Sequence, residues 1–240
     1  DYTNRGRIIT PLKDRYGSLI RTHYPKHSDD EVQIMEQEMT SFPDMDSKVL
    51  VPQYMKEIIA EITALARHSG EINQRSGVSV RVSIANYESI ISSAFKRGLR
   101  NKEDVVAPRI SDLSAIVPST MGKIELETLE DGREGKVMEE LTKKAVLNVF
   151  GHYFGNTQDL ESVVLRFDEG LVVEAGTERP SSNYVEVLRD EEVLDAPVKK
   201  LETDKTPALV ASAVEFLLEG LHLKRRLNKD RVEGTYRYRS

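Results

Sequence analysis

The 240-residue chain has no cysteine. Disulfide frameworks, thiolate zinc sites and cysteine nucleophiles are thereby excluded, and the absence fits a reducing, cytoplasmic setting. No apolar run approaches the roughly 18 residues that a membrane-spanning helix needs, so no membrane association is expected. The opening stretch DYTNRGRIIT does not read as a signal peptide. It begins at Asp1 without an initiator methionine, and the chain is expected to be part of a longer protein. A phosphate loop of the form GxxxxGKS/T, a GxGxxG turn and a GxSxG nucleophile elbow are all missing, as are internal repeats and low-complexity blocks. As a free-standing enzyme the chain lacks visible equipment.

What is present suffices for a core. Hydrophobic residues make up 39% and charged residues 31%, a balance that folds rather than one that stays disordered. Acids outnumber bases by 40 to 34, giving a net charge of −6, which argues against bulk nucleic-acid binding. Local basic clusters remain at Arg5–Lys26 and Lys224–Arg239.

Hydrophobic spacing predicts a mainly α protein with little β. A short β-like run, Leu19 to Tyr24, closes at Pro25. Ser28 with Glu31 forms a capping box for a helix carrying Val32, Met35 and Met39. After a loop around Phe42–Val51, Pro52 opens a helix with an apolar stripe of Met55, Ile58, Ile59, Ile62 and Leu65, capped by Gly70. A helix from Arg81 to about Arg97 follows, then another in APRISDLSAIVPSTMGKIEL, stopped near Pro118. GREGKVMEELTKKAVLNVFGHYF is a long amphipathic helix and DLESVVLRF a shorter one. LVVEAG and NYVEVL are strand candidates around a turn at Pro180–Asn183. TPALVASAVEFLLEGL is a helix with Thr206 as cap and Gly220 near its end, and the basic tail KRRLNKDRVEGTYRYRS is expected to be loose.

Two faint motifs carry little. VVLRFDEG, residues 163–170, has the outline of a magnesium-holding strand, but Arg166 interrupts its apolar run and an ordinary helix end is preferred. His23 and His27 are four apart with Pro25 between them, so they cannot share a helical face as a zinc pair would. No metal-ligating residue is assigned.

Arg81 poses the sharper question. A cation in the first turn of a helix meets the positive end of the macrodipole, which is mildly unfavourable. It is either simply solvated, or it joins the helix start in facing a bound anion.

Two stretches, in order, resemble a known family. KDRYGSLIRTHYPKHSDDEVQIM is similar to the segment of magnesium-chelatase and MoxR-type AAA+ ATPases that closes the nucleotide-binding core and opens the lid. SGVSVRVSIANYESIISSAFKRG followed by NKEDV resembles their sensor-2 region, with its Gly-x-Ser-x-Arg start, apolar helix and acidic continuation. The resemblance covers about residues 1–126. It implies the edge of the core at 1–26, a helical lid at 27–126, and a helical extension at 127–240 available for partner docking. It aligns Asp14-Arg15 with the family's Asp-Arg pair, making Arg15 the catalytic arginine finger that reaches a neighbouring subunit's ATP. Lys13 and Tyr16 depart from the usual residues there, and Arg7 stays open as the alternative finger. Arg81 aligns with the sensor-2 arginine that contacts the terminal phosphate of its own subunit's ATP.

The implied cofactors are ATP and Mg2+, bound mainly by residues outside this chain. The implied assembly is a homo-oligomeric ring, commonly hexameric, that remodels a partner, often one bearing a von Willebrand A-type domain. Arginine suits both positions, because phosphoryl transfer spreads charge over phosphate oxygens that a planar, permanently charged fork of donors matches. Two other classes stay open. The chain is otherwise a non-enzymatic helical interaction module centred on 127–240, or a nucleic-acid binder whose Tyr236 and Tyr238 stack on bases.

Overall fold

The computed structural model describes residues 11, 14–18, 20, 22–127, 132–155, 160–201, 204, 206–232 and 234–240. It is mainly helical, as the periodicity predicts. The first helices are α1 (Ser28–Glu38), a one-turn α2 (Pro43–Asp46), α3 (Gln53–His68) and α4 (Arg81–Asn101). A 3-10 segment, Ile110–Ala115, runs into α5 (Ile116–Met121), and α6 (Arg133–Tyr153) and α7 (Glu161–Asp168) follow. Then come β1 (Val173–Ala175), α8 (Ser181–Asp190), a 3-10 turn Glu192–Leu194, α9 (Asp195–Lys200), α10 (Pro207–Leu223), β2 (Asn228–Val232) and β3 (Thr235–Arg239).

One continuous core runs through the ranges 27–126 and 127–240. Helix α3 buries the stripe its spacing announced, Met55, Ile58, Ile59 and Ile62, and packs across α6. Tyr54 stacks on Phe216 of α10 with ring centroids 4.6 Å apart, and Phe150 of α6 meets the same ring edge-on at 5.6 Å. Gly220 lies in the last turn of α10, near its end as expected. A Cβ there would come within 2.0 Å of the Phe150 ring, so α6 and α10 approach closely only because the position is glycine.

Several expectations need correction. The capping box does not form: His27 is the N-cap of α1 without a side-chain cap bond, and Glu31 turns inward instead. The Phe42–Val51 loop contains the short helix α2. Helix α3 ends at His68 with Ser69 as its C-cap, ahead of Gly70. Pro118 does not stop its helix; it sits in the first turn of α5, where a missing N–H is tolerated. Leu19 and Arg21 of the expected short strand lie outside the described residues, and Thr22–Tyr24 carry no strand.

LVVEAG does hold the strand β1, but NYVEVL is part of helix α8. Its Val185 and Val187 favour strands locally, yet Tyr184 is buried and α8 packs on α10, so tertiary packing overrides propensity. The tail is not loose. β2 and β3 form a hairpin, and β3 is the centre of an antiparallel sheet in the order β1-β3-β2, with Val173 opposite Tyr238 and Ala175 opposite Tyr236. Its TYRYR alternation is a two-residue period that puts Tyr238 in the core.

Replacing Gly220 by alanine should lower unfolding free energy by about 1–3 kcal/mol, the usual range for overpacking. A urea titration followed by circular dichroism measures it, and an unchanged midpoint would contradict the close approach of α6 and α10.

Candidate functional site

The start of α4 is assembled by buried polar groups. Gly77 adopts φ +72°, and a Cβ on it would lie 2.7 Å from the Tyr24 hydroxyl, so both conformation and space call for glycine. The Val78 N–H donates to that hydroxyl at 3.1 Å, and the Val78 carbonyl accepts from Arg67 Nε at 3.1 Å. The Arg67 guanidinium also lies 4.4 Å from the Tyr24 ring centroid and grips Glu31 with two bonds, of 2.7 and 2.9 Å. Ser83 of α4 donates to the same carboxylate, and its oxygen lies 2.8 Å from Thr63 Oγ1. Glu31, Thr63 and Ser83 are buried. A carboxylate taken out of water must be paired and hydrogen-bonded. Glu31 of α1 therefore locks α3 and α4 to one another and, through Tyr24, fixes the segment that leads into α1.

At this fixed point Arg81 is the first residue of α4, as the sequence predicts, and its side chain is exposed. Its backbone N–H donates to Ser79 Oγ at 3.3 Å. Among the described residues its guanidinium has no hydrogen bond or ion pair, and the first turn of α4 holds no acid. Dipole and side chain thus present positive charge together, with no described carboxylate paired to the guanidinium.

Arg15 sits exposed in a turn with Asp14, and the two form no ion pair with each other or with other described residues. Arg7 lies outside the described residues. Among the described residues no hydrogen bond or ion pair joins Arg15 to Arg81, and Tyr24, whose hydroxyl accepts the Val78 N–H ahead of α4, lies nine residues after Arg15 along the chain. His23 and His27 are exposed, and His23 Nδ1 meets the Tyr24 carbonyl. VVLRFDEG is the end of α7, with Arg166 paired to Glu191 at 2.7 Å. Tyr238 is buried and Tyr236 half-buried, so neither is placed to stack on bases, while Arg237 and Arg239 pair with Glu174 and Asp230. Among the described residues no group of three or more His, Asp or Glu side chains converges as a metal site requires.

A second buried cluster sits at the far end of α4, and sequence reasoning missed it. Arg97 and Arg109 are the largest fully buried side chains of the described chain. Arg97 donates to Asp112 at 3.0 Å and to the Ala107 carbonyl at 2.6 Å. Asp112 also accepts the Arg109 N–H at 2.9 Å and the Ser93 hydroxyl at 2.9 Å. The Arg109 guanidinium reaches the Arg179 carbonyl at 2.7 Å and Ser181 Oγ at 2.6 Å, and lies 4.8 Å from the Tyr184 ring centroid. Tyr184 in turn donates to Glu215 at 2.6 Å. The available signal was spacing: Arg97 falls on the stripe of Ile90 and Ala94, and Glu215 and Glu219 fall inside the most apolar helix of the chain.

Burial, with nearby Glu215, pushes the Tyr184 phenol well above its ordinary range, and burial with Glu219 does the same to Tyr238. Burial raises Tyr54 as well. Compared with protein-family models, with curated proteins and with solved structures, the chain matches none of them.

Two outcomes follow from the buried groups. The Arg109 guanidinium is also the cation beside Glu103 and Glu215, at 3.8 and 4.0 Å, so Arg109→Met should destabilise by about 3–5 kcal/mol by leaving that buried negative charge without it; denaturant unfolding measures it, and a cost near zero would contradict the pairing. Of the nine tyrosines, Tyr54, Tyr184 and Tyr238 should stay protonated above the ordinary value of 10.0 until the chain unfolds. Their folded pKa values are raised, so the stabilising contribution is complete below the unfolded value and is lost as pH climbs above it. Ultraviolet phenolate titration reads this directly, and nine equivalent tyrosines in the folded chain would refute it.

Proposed function

We propose that the chain is the C-terminal part of a magnesium-chelatase-like AAA+ ATPase, a cytoplasmic ring, commonly hexameric, that couples ATP hydrolysis to remodelling of a partner protein. In this reading residues 1–26 edge the nucleotide-binding core, 27–126 form the lid and 127–240 form an extension that docks the partner, for which a von Willebrand A-type protein is the candidate. The observation that carries it is Arg81: exposed, without a side-chain partner among the described residues, and anchored by the Glu31–Arg67–Ser83 cluster at the first turn of a 21-residue helix. A second support is the uncovered apolar surface of the preceding segment, where Tyr16 is 58% and Ile20 84% exposed, as suits a segment lying against a further domain.

The described residues fit one end of a nucleotide and no more. Arg81 offers a guanidinium fork and the unneutralised α4 start offers positive potential, which together favour a terminal phosphate. The described residues present no converging ligands for Mg2+. Bound ATP supplies the transferable phosphoryl group, and its main cradle belongs to residues outside this chain. Arg81 binds and orients the terminal phosphate. Because α4 is locked to α3 and α1, any shift of Arg81 on phosphate loss moves the lid as a body. Arg15, on its exposed turn, reaches toward the neighbouring subunit.

In the complete protein, Arg81→Ala should cut ATP turnover by about a hundredfold or more, and Arg15→Ala by about 10³–10⁵, the range of arginine fingers supplied in trans. Turnover is measured by phosphate release. Mixing Arg15→Ala subunits with subunits intact at that position should restore activity, whereas Arg81→Ala acts within its own subunit. Wild-type turnover in both variants would overturn the assignment.

A further inference from the structure

A cavity of about 280 Å³ lies between α10, the 3-10 segment with α5, α6 and the sheet. Leu113, Val117, Met138 and Val146 form its apolar wall, and Glu139 and Lys143 of α6, paired with each other, add a charged stretch to its lining. One end is polar, where Glu219 of α10 meets Lys229 of β2 and Tyr236 and Tyr238 of β3. A cavity of about 150 Å³ holds a benzene, and ligand pockets begin near about 300 Å³. The space therefore suits a molecule the size of a fused bicyclic ring.

Glu219 decides the chemistry. Its side chain is only 8% exposed, and Oε2 accepts both donors that reach it, Lys229 Nζ and the Tyr238 hydroxyl, each at 2.6 Å. Oε1 accepts nothing among the described residues. The neighbouring carboxylate, Glu215, has no such vacancy, since Ser111 N–H at 2.9 Å and Tyr184 at 2.6 Å occupy its two oxygens. A carboxylate only accepts, so a ligand must bring a donor, and a charged donor forms the stronger bond. The same end already draws an ammonium: Lys229 Nζ lies 4.1 Å from the Tyr236 ring centroid and 5.5 Å from that of Tyr238.

We propose that this cavity is a binding site for a small aromatic or alicyclic amine, its ring among Leu113, Val117, Met138 and Val146 and its ammonium on the open oxygen of Glu219. The site stands independently of the ATPase reading, being built from other side chains than those at the α4 mouth.

Three probes of matched ring test it in the 240-residue chain by calorimetric titration: tryptamine, indole and indole-3-acetate. Tryptamine should bind saturably and at least about tenfold tighter than indole-3-acetate, with indole between them. Glu219→Gln should weaken tryptamine about tenfold and leave indole unchanged. Val117→Trp, which fills the space from a half-buried position, should abolish binding of both while the melting temperature is retained. No saturable tryptamine binding below about 10 mM, equal or tighter binding of the acid, or full tryptamine affinity in Glu219→Gln would each overturn the proposal.

Discussion

Helix α4 is held at both ends by carboxylates taken out of water. At its start, Glu31 is gripped by Arg67 and Ser83; near its end, Asp112 is gripped by Arg97, the Arg109 backbone and Ser93. An isolated buried charge costs several kcal/mol, so each carboxylate admits only arrangements in which its partners converge. That requirement fixes α1 and α3 against one end of α4, and the 3-10 segment against the other.

The second cluster also carries the fold across its length. Arg109 reaches backbone and hydroxyl groups at Arg179 and Ser181, and its ring neighbour Tyr184 hands on to Glu215 of α10. One turn further along α10, Glu219 repeats the pattern with Lys229 and Tyr238 and pins the terminal hairpin. Hydrophobic burial supplies the bulk of the driving force. The ionic groups decide register, because apolar surfaces slide and paired forks do not. Against this background Arg81 is a contrary case, a cation placed by the same machinery and left at the surface without a side-chain partner among the described residues.

Much of the helical fold was legible in the sequence, since the stripes of α3, α4, α6 and α10 repeat at helical spacing. What was hidden has physical causes. The capping box failed because Glu31 is worth more to Arg67, a residue 36 positions away, than to its own N-terminus. Strand-favouring valines in NYVEVL were overruled by the packing of α8 on α10. The tail's TYRYR period was visible, and one of its partners, β2, is its neighbour along the chain; the other, Val173–Ala175, lies some sixty residues upstream, and no local pattern announces that pairing. At the candidate site the sequence located Arg81 and its helix start. It did not show which buried pair holds that start in place, because long-range ion pairs leave no spacing to read.

The central claim is that the fixed mouth of α4 aims the Arg81 guanidinium at a nucleotide's terminal phosphate. The most direct measurement is a cryo-electron microscopy map of the complete assembly loaded with a non-hydrolysable ATP analogue. The account predicts the Arg81 guanidinium within about 3 Å of a terminal phosphate oxygen, with the Glu31–Arg67 pair intact beneath it. An Arg81 side chain extended into solvent, with another cation on that phosphate, would contradict it.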